Sequence, residues 1–472
     1  MIDFGEKCGL VGVYGKLHTP LEDMFILMSA LQHRGQEGAG IAFWRVDGGF
    51  ERVITLGLVK DLFKDKNIEG VNSASSIIGH IRYSTTGSND ISNVQPFCSK
   101  TIDGKTIALA HNGNITNAAE VRLKLMKEGH TFSTTTDSEV ILHHIVKEYN
   151  RTSDIELSIA SAISLFEGAF SILMLFDDKL VAFRDKYGFR PLVFGKFSNG
   201  VVFTSEDTAL KTIDIFDYEE VKPGEVVIVD QKGIYRKQFV NPSVLSHCVF
   251  ELVYFSKPSS KVFGEDVYKF RYECGKKLGL YDLSENFDAV VPIPDSGLIA
   301  ALGYAEVTKN PLVMGLIRNH FTGRSFIQPK QRMRDIEVRT KFFVPSDSIK
   351  GKKIVIIDDS IVRGTTMKRI VNLLRKNGVA EVHLRIASPP VKFPCYFGID
   401  FPSKEELIAN TKTIEEIQDY IGVESLKYLS LDDMMGILKQ QNNFCNSCFS
   451  GYYKVKISEV RKDIFEVNYG RI

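Results

Sequence analysis

Two adjacent carboxylates, Asp358 and Asp359, stand between a β-branched run and a small-residue turn in KIVIIDDSIVRGTT, Lys353 to Thr366. The run Ile354-Val355-Ile356-Ile357 is apolar on both faces, which suits a parallel strand covered by helices. Beyond the turn, Met367, Ile370, Val371 and Leu374 recur at helical spacing, and Gly378 follows where a helix should stop. The stretch therefore reads strand, turn, helix. Its turn, Ser360 to Thr366 with Arg363, Gly364, Thr365 and Thr366 at the end, sets backbone N–H groups and hydroxyls at a helix N-terminus, which is an anion site. The acids lie at the strand's C-terminal end, where ligands of open α/β sheets bind. Carboxylates beside a phosphate cradle suit a sugar phosphate, because they accept hydrogen bonds from ribose hydroxyls while the turn holds the phosphate. No Gly-Lys-Ser/Thr closes the turn, so it is not a Walker loop.

A second strand-turn-helix unit precedes the first. DAVVPIP runs into Asp295-Ser296-Gly297 and then LIAALGYAE, a second anion site. Between the two turns, Arg318 to Lys341 carries Arg318, Arg324, Lys330, Arg332, Arg334, Arg339 and Lys341 against only Asp335 and Glu337. VIIDDSIVRGTT closely resembles the phosphoribosyl-diphosphate (PRPP) loop of type I phosphoribosyltransferases. The resemblance implies that Asp358 and Asp359 meet the ribose hydroxyls and magnesium, and that Ser360 to Thr366 bind the 5′-phosphate. It makes Asp295-Ser296-Gly297 the pyrophosphate loop, with the Ser296 hydroxyl near magnesium. It makes the basic stretch a loop that closes over PRPP and excludes water.

At the other end, Cys8 follows a short polar leader and precedes GLVGVYG, which reads as a strand. If residues 1–7 were removed, Cys8 would carry a thiol and a free α-amine. That amine has a pKa of about 8 and can take the thiol's proton near neutral pH, whereas an amide nitrogen is not basic. Four polar clusters follow between apolar stretches, each placed in a turn: LQHRGQEGAG, GHIRYSTTG, AHNGNI and TDSE. With Cys8, and in this order, they resemble the class II glutamine amidotransferase domain. The match implies Cys8 as nucleophile on the glutamine amide, Arg82 on the substrate α-carboxylate and Asp137 on its α-ammonium. Asn112 and Gly113 then form the oxyanion hole, Arg34 supports the nucleophile loop, and His111 is structural. The implied chemistry is glutamine hydrolysis through a thioester, releasing ammonia.

The elements that must position these groups fill two or three domains, since 472 residues exceed one ordinary core. A hydrophobic fraction of 44% and a charged fraction of 25% are those of a soluble globular chain. A net charge of +1 argues against a nucleic-acid surface, and no run is apolar enough to span a membrane. MIDFGEK lacks an apolar signal core, so a cytoplasmic location is expected. Seven scattered cysteines argue against a disulfide framework. Cys445 and Cys448 form a Cys-x-x-Cys pair, and Cys248 and Cys395 complete a set of four thiols that suits zinc or a 4Fe–4S cluster equally. Cys98 and Cys274 have no such context.

Taken together, the chain resembles the glutamine–PRPP amidotransferases over Cys8 to about Tyr453. One branch of that family carries a 4Fe–4S cluster on cysteines in the contexts of Cys248, Cys395, Cys445 and Cys448, so the resemblance selects the cluster over zinc, with a structural role. It implies conversion of glutamine, PRPP and water into 5-phosphoribosylamine, glutamate and pyrophosphate, the first committed step of purine synthesis. It also implies magnesium, a homotetramer and inhibition by purine nucleotides. The expected organisation is a propeptide, 1–7; an α+β N-terminal-nucleophile domain of four αββα layers, 8–240; and an α/β phosphoribosyltransferase domain with a mainly parallel sheet and a C-terminal cluster-binding segment, 241–472. Asparagine synthetase would need a Ser-Gly-Gly ATP loop, and glucosamine-phosphate synthase sugar-isomerase loops; neither is found. A non-catalytic PRPP-binding regulator could discard Cys8, Arg82, Asn112, Gly113 and Asp137, yet all five are present.

Overall fold

The computed structural model describes residues 8–64, 66–83, 90–319, 340–399, 401, 404–455 and 457. The leader 1–7 and most of the basic stretch, Arg324 to Arg339, lie outside the described residues.

The first half is built on two antiparallel sheets. One runs Tyr218–Glu220, Val193–Phe197, Gly200–Thr204, Gly9–Gly15, Ala74–Arg82, Gly38–Arg45, Phe50–Leu56. The other runs Gly233–Gln238, Glu225–Asp230, Lys179–Arg184, Gly168–Phe176, Thr106–Ile115, Phe97–Lys100. The strands that carry the site are named here β1 (Gly9–Gly15), β2 (Ala74–Arg82), β3 (Thr106–Ile115) and β4 (Gly168–Phe176). Side chains of a strand alternate between faces, and the cores divide accordingly. On β3, Ala108 and Ala110 enter the core between the sheets, while Ile107 and Leu109 enter the core under the helices. On β4, Leu173 and Leu175 go inward, and Phe170, Ile172 and Met174 go to the helix side. The outer face of the seven-stranded sheet packs Val11, Val13 and Ile77 on Met24, Leu27 and Met28 of the helix Pro20–Ala30. The result is four layers, helix, sheet, sheet, helix.

AHNGNI is strand and not turn, as is the Gly79–Arg82 part of GHIRYSTTG, whose Ser84 to Gly87 lie outside the described residues. Arg82 ends β2, and Asn112 and Gly113 lie inside β3, where they pair with Ser171 and Phe170 of β4. Pairing continues to Ile115, so the strand carries its polar residues to the sheet's end. TDSE opens the helix α1 (Asp137–Thr152): the Thr136 hydroxyl caps the Glu139 N–H, and two acids in the first turn suit the positive end of the helix dipole.

The second half holds a four-stranded parallel sheet in the order β5 (Ala289–Pro292), β6 (Lys353–Asp358), β7 (Glu381–Ile386), β8 (Ser425–Tyr428). Both faces of β6 are covered. Ile354 and Ile356 pack with Ile370, Val371 and Leu374 of α3 (Thr365–Lys376), while Val355 and Ile357 face Ala300, Ala301 and Tyr304 of α2 (Leu298–Thr308). The second of these cores also takes in Ala169 and Phe189 from the first half, so apolar packing joins the halves. No described helix is long and apolar enough to cross a membrane.

Candidate active sites

Cys8 sits at the start of β1, 7% exposed, with its Sγ donating to the Tyr83 carbonyl at 3.5 Å. One pocket brings it together with Arg82, Tyr83, Asn93, Gln95, His111, Gly113, Thr136, Asp137 and Ser138. Cys8, Arg82, Gly113 and Asp137, far apart in the chain, thus line one space. Asn112 adjoins it, and its Nδ2 is buried with no hydrogen-bond partner. A buried amide without a partner costs free energy, so this donor is suited to an oxyanion. Gly113 has φ +156°, and a Cβ there would meet the Ala169 carbonyl oxygen at 1.9 Å, so only glycine brings its backbone this close. Arg82 is buried beside Glu37, 3.7 Å away, and burial lowers its pKa without discharging a guanidinium. The Asp137 carboxylate accepts from the Ile115 N–H at 2.9 Å, which ties α1 to the oxyanion strand.

Burial pushes the Cys8 thiol up to about 11, with Arg82 and Arg34 pulling the other way. At pH 7 such a thiol is ionised in about one molecule in 10⁴, so it needs a base. His111 is a poor one: burial lowers its pKa, and its ring is engaged by the Ser138 hydroxyl at 2.9 Å. Gln95 was not singled out from sequence, yet its Oε1 accepts the His111 N–H at 2.7 Å and its Nε2 donates to Ser138 at 3.2 Å. A lone Gln-Pro in a loop carries no signal of this bracing.

In the second half, β6 ends at the acid pair. Asp358 Oδ1 accepts from the Ser296 hydroxyl at 2.9 Å and from the Asp359 N–H at 2.9 Å, so the two anion turns meet. The Asp359 carboxylate accepts from the Ser360 hydroxyl. Asp358 Oδ2 and Asp359 Oδ2 are buried with no partner. Burial raises both pKa values, for Asp358 with added repulsion from Asp359, and Arg271 pulls Asp359 down. An ionised carboxylate out of water costs several kcal/mol, and a cation or a diol offsets that cost. Ser296, Asp358 and Asp359 therefore fit magnesium, which needs one or two carboxylates when substrate oxygens supply the rest. Ser360, Arg363, Gly364, Thr365 and Thr366 line a single pocket at the N-terminus of α3, with Gly364 at φ +71°. The Arg363 guanidinium pairs with Glu406 at 2.6 Å, leaving N–H groups and hydroxyls as the cradle's main donors.

The four thiols Cys248, Cys395, Cys445 and Cys448 gather in one core, and none is in a disulfide. Cys248 and Cys445 stand opposite each other in a short parallel pair, His247–Cys248 against Phe444–Cys445. The Phe397 N–H donates to Cys395 Sγ at 3.4 Å. Burial raises all four pKa values, and for Cys395, Cys445 and Cys448 the charges of neighbouring thiols add to it. Among the described residues, no group of three or more His, Cys, Asp or Glu is arranged to hold a metal ion. Cys98 pairs with Ala108 at the edge of a sheet, and Cys274 is a buried apolar contact.

Comparison with known proteins matches the same two units. A glutamine amidotransferase domain model covers residues 80–212, and a phosphoribosyl transferase domain model covers residues 274–387. The chloroplastic amidophosphoribosyltransferase of Vigna aconitifolia is 46% identical, over 96% of this chain and 92% of its own. That of Methanocaldococcus jannaschii is 41% identical, over 96% and 98%. The chain belongs to the amidophosphoribosyltransferase family. Among solved structures, the Bacillus subtilis glutamine PRPP amidotransferase complexed with ADP and GMP superposes with a TM-score of 0.88 at 36% identity, covering 96% of this chain and 98% of that one. A second, described as the allosteric regulatory enzyme of purine biosynthesis, gives the same TM-score of 0.88 and 36% identity over 96% of this chain and 97% of its own. The fold of the family accounts for both halves: a class II glutaminase unit, then a phosphoribosyltransferase unit.

Proposed function

We propose that this chain converts glutamine, PRPP and water into 5-phosphoribosylamine, glutamate and pyrophosphate, the first committed step of purine synthesis. The observation that supports this reading is the meeting of two sets of groups in one chain of the family: a pocketed cysteine beside an unpartnered Asn112 amide, and a buried acid pair beside the turn at the N-terminus of α3. We set the division near residue 240, a boundary supported by the end of the six-stranded sheet at Gly233–Gln238.

In the first site, Arg82 and Asp137 hold the α-carboxylate and α-ammonium of glutamine. The α-amine of Cys8, freed when residues 1–7 are removed, takes the thiol proton. Sγ attacks the amide carbon, and Asn112 Nδ2 and the Gly113 N–H take the charge on its oxygen. Ammonia leaves, and water hydrolyses the thioester to glutamate. In the second site, Ser360 to Thr366 hold the 5′-phosphate, and Asp358 and Asp359 hold the ribose hydroxyls. Ser296, Asp358 and Asp359 would hold magnesium, which when bound would neutralise the leaving pyrophosphate. Ammonia then bonds to the anomeric carbon as the C–O bond to pyrophosphate breaks.

The test is an assay of phosphoribosylamine with glutamine and PRPP, on protein whose intact mass is known. Chains beginning at Cys8 are expected to use both glutamine and ammonia, and chains retaining residues 1–7 to use ammonia alone. Absence of any PRPP-dependent product from the trimmed chain overturns the reading.

We also assign the four thiols to a 4Fe–4S cluster. A single zinc at about 2.3 Å from each sulfur requires sulfurs about 3.8 Å apart, whereas a cluster spreads its ligands over its corners. The four thiols share one core, three of them buried and Cys445 partly so, and the resemblance to the cluster-bearing branch supports the cluster. Protein purified without oxygen is expected to contain iron and acid-labile sulfide in equal amounts, and Cys448→Ser to lose both. Zinc without sulfide would reject the assignment. Inhibition by purine nucleotides is supported by the ADP and GMP bound to the B. subtilis relative. A homotetramer and a cytoplasmic location are carried as parts of the same proposal.

A further inference from the structure

The nucleophile's arginine, Arg34, is anchored by two buried carboxylates: Glu206 of its own half, at 2.5 Å, and Glu251 of the other half. Arg34 Nε donates to the Cys8 carbonyl at 3.1 Å, so its guanidinium fixes the backbone of the nucleophile. The same guanidinium reaches Glu251 through two bonds, Nη2 to Oε1 at 3.0 Å and Nη1 to Oε2 at 3.2 Å. Glu251 lies in the short helical turn Glu251–Phe255, three residues past Cys248, and is 0% exposed. The Ser256 hydroxyl holds its Oε2 at 3.0 Å.

Glu251 serves a second arginine. Arg190 Nη1 donates to its Oε1 at 3.4 Å, and Arg190 Nη2 donates to the Phe397 carbonyl. The segment around Phe397 backs the oxyanion strand. Asn114 Nδ2 donates to the Tyr396 carbonyl at 2.8 Å, and a Cβ on Gly398 would come within 2.9 Å of the Gly113 carbonyl carbon. From the other side, the Arg190 carbonyl accepts from the Ser171 hydroxyl at 3.1 Å, and Ser171 is the strand partner of Asn112. One carboxylate therefore holds two arms. One arm ends on the nucleophile's backbone, and the other ends on the backing of Asn112 and Gly113.

We propose that Glu251 is a positioning residue for the glutamine reaction, setting the nucleophile of Cys8 against the oxyanion donors. Bidentate arginine–carboxylate pairs fix geometry as well as charge. A displacement of about 1 Å between reacting groups costs up to about 10²-fold in rate. Arg34 and Arg190 are both fully buried, so water does not replace the shared acid if it is lost; Arg34 then keeps Glu206 as a partner but loses the tie to the Arg190 arm. This inference rests on the reaction proposed above.

The test compares Glu251→Gln with the parent, both starting at Cys8. Gln keeps the shape and one acceptor but removes the charge. Its kcat with glutamine should fall at least about tenfold, with the KM for glutamine and the ammonia-dependent rate within about threefold. Equal loss of both activities indicates a general structural role and overturns the proposal, as does a change confined to KM, or no change. A second readout needs no substrate: alkylation of Cys8 by iodoacetamide, followed by mass, should quicken at least about threefold as the buried thiol loosens. An unchanged alkylation rate also overturns it. If the Gln variant does not fold, Ser256→Ala, which removes one bond to Glu251, must give a smaller loss of the same kcat-only kind; its absence counts against the proposal equally. A parent inactive with glutamine would instead reject the reaction, and the alkylation rate would still decide the role of Glu251.

Discussion

Cys8→Ser should lower glutamine-dependent phosphoribosylamine synthesis by about 10³-fold or more, while ammonia-dependent synthesis stays within about threefold. The first number follows from the nucleophile. A serine hydroxyl is far less acidic than a thiol, so the α-amine of residue 8 takes its proton far less readily, and His111, held by Ser138 and with its pKa lowered by burial, is a poor substitute base. The second number follows from separation. Cys8 Sγ donates to the Tyr83 carbonyl at 3.5 Å, a bond within the first half. The acid pair and phosphate turn are built on β6 and α3, with no bond to β1. Loss of one long thiol contact should cost under about 1 kcal/mol of stability. Parallel assays with glutamine and with ammonium chloride, on one preparation, check this. A serine variant that still uses glutamine would remove Cys8 as nucleophile, and one that loses both activities would show that the sites are not separable.

The second large effect concerns Asp358. Asp358→Asn should abolish both the glutamine- and the ammonia-dependent reactions, by about 10²–10⁴-fold, and yet raise the stability of the ligand-free protein. The function falls because the variant loses a charge that faces magnesium and ribose. The stability rises for a reason that can be given a sign. Burial, then repulsion from Asp359, raise the Asp358 pKa above its unfolded value of about 4. An acid held more tightly by the folded state contributes stability that is full below about pH 4 and lost as pH rises through the raised value. Asparagine carries no charge to lose, so the variant should out-melt the parent at pH 8 and match it near pH 4. Magnesium with PRPP should raise the melting temperature of the parent at pH 8 and leave that of the variant unchanged. Melts at the two pH values, with chelator or with magnesium and PRPP, read all of this. A variant that keeps ammonia-dependent synthesis would overturn the role given to Asp358.

Much of the second half was legible because one local pattern carried it. Ile354 to Ile357 had to be buried on both faces, and Ser360 to Thr366 had to open a helix; both follow from spacing within fourteen residues. The hairpin of Gly168–Phe176 and Lys179–Arg184 about Asp177 and Asp178 was legible for the same reason. The strand placement of Asn112 and Gly113 was not. AHNGNI has turn composition, but all six of its residues pair with β4, and distant partners outweigh local preference.

The sequence by itself determined which groups exist to do chemistry: a cysteine behind a short leader, an acid pair on a strand, a Gly-Thr-Thr turn and four thiols. These are short-range facts, since residue type fixes acidity and neighbours fix the turn. Only the tertiary structure decided which groups meet. It set Ser296 on Asp358 across 62 positions, Cys248 opposite Cys445, and Glu251 under both Arg34 and Arg190. No periodicity in the chain marks Glu251 or Arg190 as belonging to the glutamine site. Their pairing depends on burial, because a guanidinium enclosed in the protein needs an enclosed carboxylate, and the fold brings one from the facing half to two such guanidiniums at once.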